Sequence, residues 1–329
     1  RIIHFHKISP KLLILELQLI IINLKHIYLT QYEKYFIKYN IVLILKIKYG
    51  LISLFCKDTL CVKYWISSPI FLWTSRIPHY NWGDYINLPF SKLISGKTII
   101  PYSFCKRPSV AMIGSILPWV MNHDTIVWGS GCLNSTDPQW NCVEHPKKVC
   151  AVRGPLTRKV LLSHGIECPE VYGDPAMLLS RYYHPKVAKR YKYGIIFHTS
   201  SLKEGKEWFQ KMSLNSILWI DPRIYKDWHD FIDQICSCEI ILSSSLHGII
   251  IADAYKIPNI WITLTLQEHP DDNFKFKDYF LSVGKQIEKP LSLVGLTSAN
   301  IDSYAKTWQP PVIDMNQLIA ACPFKIINQ

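Results

Sequence analysis

The chain has 329 residues, 49% of them hydrophobic and 13% aromatic, with a formal net charge of +12. That length allows two domains of ordinary size, and that composition excludes disorder. Nine Lys/Arg against three Asp/Glu in residues 1–60 supply half of the positive excess; the remaining mild balance suits an anionic small substrate and predicts no nucleic-acid partner.

The first segment, 1–61, is rich in Ile and Lys, reaches its first glycine at Gly50 and contains no methionine before Met112. A chain opening on Arg1 reads as a fragment or an imperfect gene product. The segment itself reads in two ways, as a natural part of the fold or as a stretch foreign to it. Its apolar runs, 12–24 and 40–55, are interrupted by Glu16, Lys46 and Lys48 and fall short of the ~20 residues a membrane span needs. An interfacial helix, and with it a peripheral membrane contact, stays open. No small-residue cleavage site follows a clean apolar core, which argues against a signal peptide. The ten cysteines contain no C-x-x-C pair, the nearest being Cys236-Ser-Cys238. They read as inert thiols in a reducing compartment, the cytoplasm, with no metal-ligand cluster.

From residue 62 short apolar runs alternate with amphipathic stretches. "VKYWI" reads as a strand leading through "SRIPHYNWGD" to the helix-like "YINLPFSKLI". "SVAMIGSIL", "DTIVWGSG" and "KVCAVRG" stop at Gly or Ser as buried parallel strands do. "PLTRKVLLSHG" follows as a helix, with Pro155 at its first position and Gly165 closing it. "PEVYGDPAMLL" reads as a further strand and tight turn. A basic connection, "YYHPKVAKRYKY", interrupts the pattern. "GIIFHTS", "KEWFQKM", "NSILWIDP", "IYKDWHDFIDQICSC", "EIILSSS", "LHGIIIADAYKI" and "PNIWIT" then alternate strand and helix again. The expectation is two Rossmann-like, doubly wound α/β domains facing across a cleft, an N-terminal lobe over 62–183 and a C-terminal lobe over 184–329.

Open α/β sheets bind ligands at the carboxyl ends of their strands, and the unusual residues lie in those turns. Arg153 stands between a strand and a helix start, where unpaired N–H groups and the dipole attract anions. It reads either as a ligand's carboxylate or phosphate fork or as the partner of an acid such as Asp174. His247 occupies the equivalent seam of the second lobe, beside Ser243, Ser244, Ser245 and Gly248. It reads as a capping residue or as an acid charged only when a polyanion is bound. Asn81, Gly83 and Asp84 suit a capped turn, and Trp82 either a sugar-stacking ring or an inter-domain contact. His198 echoes His247 after "GIIF". Gly129-Ser130-Gly131 lacks dinucleotide spacing.

Taken in order, "NWGD", "WGSG", "VRGPLTRKVLLSHGIECPEVYGDPAMLL", "SSSLHGIIIADAYKIPNIW", "FKFKDYF" and "LIAACPF" resemble the polysaccharide pyruvyl transferase family over roughly 62–325, leaving the first sixty residues unmatched. The resemblance implies two lobes arranged as in GT-B glycosyltransferases. It implies transfer of pyruvate from phosphoenolpyruvate to two sugar hydroxyls as a cyclic ketal, with phosphate released and no cofactor. It gives Arg153 and His247 donor-binding and catalytic roles. Ser244, Ser245, Leu246, Gly248 and Lys275 (or Lys277) complete the donor site, and Asn81, Trp82, Gly83, Asp84 and His198 the acceptor site. Several relatives carry arginine where this chain has Ser245. Acceptors would be saccharides, lipid-linked ones among them, and the place of work the cytoplasm near the inner face of the membrane. Two alternatives remain: a nucleotide-sugar glycosyltransferase of the same architecture, and a non-catalytic scaffold in a glycan-assembly complex.

Overall fold

The structure, a computed structural model, describes residues 43–52, 58–65, 81–102, 107–211, 214–264, 273–286 and 289–327. The chain divides into two compact units. One comprises 1–57 and 68–75; within it, residues 43–52 are helical, and the apolar run 12–24 lies outside the described residues. No helix among the described residues is long and apolar enough to cross a membrane. The other unit, 58–67 and 76–329, carries both sheets.

The first sheet is built from β1 (Thr59–Lys63), β2 (Thr98–Pro101), β3 (Ser109–Ala111), β4 (Thr125–Trp128) and β5 (Lys148–Ala151). Its strands are all parallel, in the order β2-β1-β3-β4-β5. Between them lie α1 (Trp82–Tyr85), α2 (Asn87–Ser95) and the short α3 (Leu117–Val120). After β5 come α4 (Pro155–Ser163) and α5 (Leu179–Tyr182). The second sheet holds β6 (Tyr191–Ile196), β7 (Ile217–Trp219), β8 (Cys238–Ser243), β9 (Asn259–Thr263) and β10 (Leu291–Ser292). It is parallel too, in the order β10-β9-β8-β6-β7. Helices α6 (Leu202–Lys211), α7 (Trp228–Cys236), α8 (Leu246–Ala254) and α9 (Phe274–Ser282) accompany it, followed by α10 (Ser298–Lys306) and α11 (Met315–Ala320).

Read from its β7 edge, the second sheet repeats the strand order of the first, although the two share no visible sequence repeat. In each, the order reverses once, between β1 and β3 and between β6 and β8. Such reversal points open a crevice at the carboxyl ends of the strands. The strands are fully buried where helices cover both faces, as in β3, whose three residues are all buried, and this produces the near-continuous apolar runs seen in the sequence.

Several expectations are corrected. The strand expected in "PEVYGDPAMLL" is reduced to a single bridge between Val152 and Tyr172; the expected tight turn follows as a 3-10 turn, Pro175–Leu178, with Pro175 at its first position, where a missing N–H costs nothing. The first strand begins at Thr59 rather than at residue 62, and β2 went unforeseen. Cys61 is disulfide-bonded, against the expectation of inert thiols throughout; Cys132, Cys142, Cys150, Cys168, Cys236, Cys238 and Cys322 are free. The tail returns to the first sheet, where the Trp128 indole donates to Leu318 O at 2.9 Å and Ile327 N donates to Ile94 O at 2.8 Å.

Candidate functional site

A cavity of about 640 Å³ lies where the turns at both reversal points meet, within the size range of small-molecule sites. Gly114 and Ser115 reach it from the end of β3, His198 and Ser200 from β6, Ser244 through His247 from β8, and Lys275 from α9. A larger groove of about 960 Å³ includes Lys148 and Val149 of β5, with Cys150, Cys168 and Cys322. It includes the amino end of β5, where this fold class offers no ligand crevice.

His247 is the second residue of α8, after the N-cap Ser245. Two internal bonds hold the turn: Ser243 Oγ donates to Ser245 O at 2.8 Å and accepts from Ser245 N at 3.0 Å. The imidazole is only partly buried as a side chain, yet its Nε2 is buried without a hydrogen-bond partner. Burial, then the positive charges of Arg153 and Lys275, with a smaller effect of His198 when it is charged, push its pKa down to about 3. His247 is therefore neutral at ordinary pH. Gly83 packs against the other ring nitrogen; a Cβ there would lie 2.1 Å from Nδ1. That contact fixes the ring and requires glycine at the position.

Asn81 caps α1 by accepting from Gly83 N and donates from Nδ2 to Asp84 Oδ2 at 3.1 Å. Both Asn81 and Asp84 line the cavity. Burial raises the Asp84 pKa to about 7, against the opposing pull of Asn81 and Lys275. His198 lines the same space and accepts from Ser200 N; burial, aided by Lys275, lowers its pKa to about 4. The cavity thus holds a raised carboxyl, two neutral imidazoles and an ammonium, an arrangement suited to an anionic substrate and proton transfer.

Four predicted site residues stand outside the cavity wall: Gly83, buried against the His247 ring as described, and Trp82, Gly248 and Arg153. Trp82 is fully buried, stacked on Phe231 at 4.7 Å, with its indole donating to Trp228 O at 2.9 Å; the ring seals α1 against α7 and offers no face to a sugar. Gly248 is buried against Ser243 Oγ, giving packing room rather than ligand contact. Arg153 is absent from the cavity wall. Its fully buried guanidinium pairs with Asp278 at 3.1 Å, donates to Cys132 O at 2.6 Å and to the Ser115 hydroxyl. Asp278, rather than Asp174, is its acid, because α9 packs directly on α4. The same carboxylate accepts from Thr157 N at 2.9 Å and Thr157 Oγ1 at 2.6 Å. It thereby caps α4 from another element, as Gly154, the N-cap residue, has no side chain to do so. Lys277 does not line the cavity; Lys275 does.

The sequence reading missed Ser115, Asn273, Trp65, Trp119 and Trp261, all in the wall. Ser115 was visible as the turn after an apolar run, the position where this fold collects ligand groups. Among the described residues no group of three His, Cys, Asp or Glu could hold a metal ion.

The family described as polysaccharide pyruvyl transferase matches residues 18–264. The match takes in most of the segment expected to lie outside the family and ends before "FKFKDYF". An uncharacterized protein, L143, of Acanthamoeba polyphaga mimivirus is 28% identical over 250 residues, 73% of this chain and 84% of that protein. Succinoglycan biosynthesis protein ExoV of Rhizobium meliloti (strain 1021) is 29% identical over 220 residues, 65% of this chain and 64% of ExoV. A solved structure of an uncharacterized Klebsiella pneumoniae protein covers 74% of this chain and 94% of its own at 16% identity, with a TM-score of 0.34, too low to bear on the fold.

Proposed function

Because the chain belongs to the polysaccharide pyruvyl transferase family, we propose that it transfers pyruvate from phosphoenolpyruvate to two hydroxyls of a saccharide, forming a cyclic ketal and releasing phosphate. The two sheets would act as the lobes of a GT-B-like enzyme working in the cytoplasm near the membrane. The observation that carries the reading is the buried, unpartnered Nε2 of His247 at the N-terminus of a nine-residue helix, in one cavity with Lys275.

Phosphoenolpyruvate carries a carboxylate and a phosphate, which the N-terminus of α8 and the Lys275 ammonium would hold. The negative charge offsets the positive surroundings of His247 and raises its pKa, so the imidazole gains a proton as the donor binds. His247 then protonates the enol methylene while a sugar oxygen bonds to the central carbon. Asp84, with its pKa near neutrality, takes that hydroxyl's proton; each such transfer is worth roughly 10²–10⁴-fold. The phosphate leaves with its C–O bond electrons, and the second hydroxyl closes the ring and loses its proton. The net change is phosphoenolpyruvate plus a diol to a ketal plus phosphate. Arg153 acts from behind the wall, orienting Ser115 and contributing positive field, rather than touching the donor.

The test is to incubate the full chain with phosphoenolpyruvate and a saccharide panel, following phosphate and acceptor mass together. Phosphate formed in step with a pyruvyl-sized gain supports the reading. Turnover only with a sugar nucleotide, or inertness of a folded protein, overturns it in favour of a glycosyltransferase or a scaffold.

A further inference from the structure

With Trp82 buried, the cavity's exposed aromatic surface comes from two other indoles. Trp65 and Trp119 both line the cavity, their centroids 6.0 Å apart and their planes at 62°. They remain 49% and 39% exposed, in contrast to the buried Nε2 of His247 in the same cavity. Two large indoles left half-exposed side by side at a cavity mark a binding surface rather than core.

Their mounting is rigid. Trp65 stands two residues beyond the end of β1, and Trp119 lies on α3, whose Leu117 and Pro118 are buried. Lys63, the last residue of β1 and fully buried, ties the two supports together. Its ammonium donates to Val120 O at 2.7 Å, Asn122 Oδ1 at 2.9 Å and Thr125 Oγ1 at 2.7 Å, which uses all three donors. A buried lysine spent wholly on the turn after α3 fixes one ring relative to the other and lowers the entropy lost on binding.

Besides the titratable groups already described, the same wall carries Asn81, Asn273, Thr199 and Ser200, neutral hydrogen-bonding groups in one cavity with flat apolar faces, and Lys275 as the single cation among the described residues of its lining. That combination matches a sugar ring, which presents C–H groups on one face and hydroxyls at its edge. A lipid surface would call instead for an apolar face rimmed by cations.

We propose that Trp65 and Trp119 form a second sugar subsite, which holds a ring adjoining the one that reacts, so that the acceptor is an oligosaccharide rather than a monosaccharide. This rests on the reading that the cavity takes a saccharide. Lys63 is a positioning residue of the subsite.

Two readouts on the full chain separate this proposal from pyruvyl transfer itself. Phosphate release is measured with phosphoenolpyruvate and either a methyl hexoside or short oligosaccharides of the same hexose, for wild type, Trp119→Ala, Trp65→Ala and Trp119→Phe. Saccharide binding without donor is followed by quenching of tryptophan fluorescence and by calorimetry. The wild type should favour the oligosaccharide. Each alanine variant should raise its oligosaccharide KM about 10-fold, in line with the worth of an aromatic contact, a clearly larger factor than for the hexoside KM, with circular dichroism retained. Trp119→Phe should keep most of the preference, and Lys63→Met should lose part of it. If no phosphate is released but oligosaccharide binding is seen and lost in the variants, the subsite stands and the transfer reading falls. Equal affinity for both acceptors, variant effects common to both, no saccharide binding, or loss only of binding to phosphatidylglycerol vesicles overturns the subsite.

Discussion

Arg153 and Asp278 form a fully buried ion pair, Nε to Oδ2 3.1 Å, that links the end of the first sheet to α9, the helix between β9 and β10 of the second. The same carboxylate caps α4, and Lys275 on the same helix reaches the cavity. One acid therefore places the cavity's ammonium, holds Arg153 away from the wall and closes a helix end.

Removing one partner of a buried pair strands the other charge, at a cost of about 3–5 kcal/mol. Asp278→Ala should lower the urea midpoint accordingly, with loss of any turnover. The double variant Arg153→Met, Asp278→Leu should recover much of the stability and none of the activity. A single variant as stable as wild type would contradict the role given to Asp278.

Gly83 owes its identity to His247. An alanine Cβ would lie 2.1 Å from Nδ1, so Gly83→Ala must displace the ring or α1. We expect a loss of about 1–3 kcal/mol from overpacking and a fall in kcat at least as large as for Trp82→Phe, which leaves the imidazole alone. Unchanged kcat in a stable Gly83→Ala protein would remove His247 from the chemistry.

The His247 pKa of about 3 has a sign that can be checked. The neutral ring contributes stability that is complete above its ordinary value near 6.5 and is lost as pH falls through that value toward 3. His247→Gln should therefore flatten the acid limb of the stability curve over that window. By NMR, the wild-type ring should stay neutral down to acid pH, and added phosphate should move its titration upward. A ring that titrates near 6.5 without any anion would refute the electrostatic account of the acid.

Asp174 runs the other way. It is fully buried, Oδ1 accepts from Ala176 N at 2.9 Å, Oδ2 has no partner, and burial raises its pKa to about 7. Its protonated form contributes stability that is fully present below its usual value of 3.8 and is lost as pH rises through 7. Asp174→Asn should leave the melting temperature unchanged at pH 4 and raise it by a few degrees at pH 8. The same shift at both pH values would show that the carboxyl never ionises in the fold. Asp84→Asn, whose wild-type carboxyl has a similar value, should in addition abolish the alkaline rise of the reaction rate.

Much of this architecture is legible in the letters. Apolar runs ending at Gly, Ser or His gave away most strands and the turns at their carboxyl ends, and Pro155 and Gly165 bracket α4 because a missing N–H and a left-handed backbone suit those ends. His198 and His247 were singled out by that logic, whereas Lys275, with Lys277 as its alternative, came only from the family resemblance. "PEVY" misled because its letters suit a strand, although only Tyr172 bridges to Val152; the tight turn expected after it is there, at Pro175–Leu178. Trp82 misled because a turn tryptophan looks available until its partner, Phe231, 149 positions later, is known to cover it.

Sequence by itself determined two parallel α/β halves, their strand ends and the residue types gathered there, because period, punctuation and backbone chemistry are local. Only tertiary structure decided that both halves share one strand order and that Asp278 withdraws Arg153 from the cavity. It alone decided that Gly83 presses on His247 and that Trp65 and Trp119, not Trp82, line the cavity. These outcomes depend on long-range packing and on the desolvation it imposes, which no window of neighbouring residues encodes.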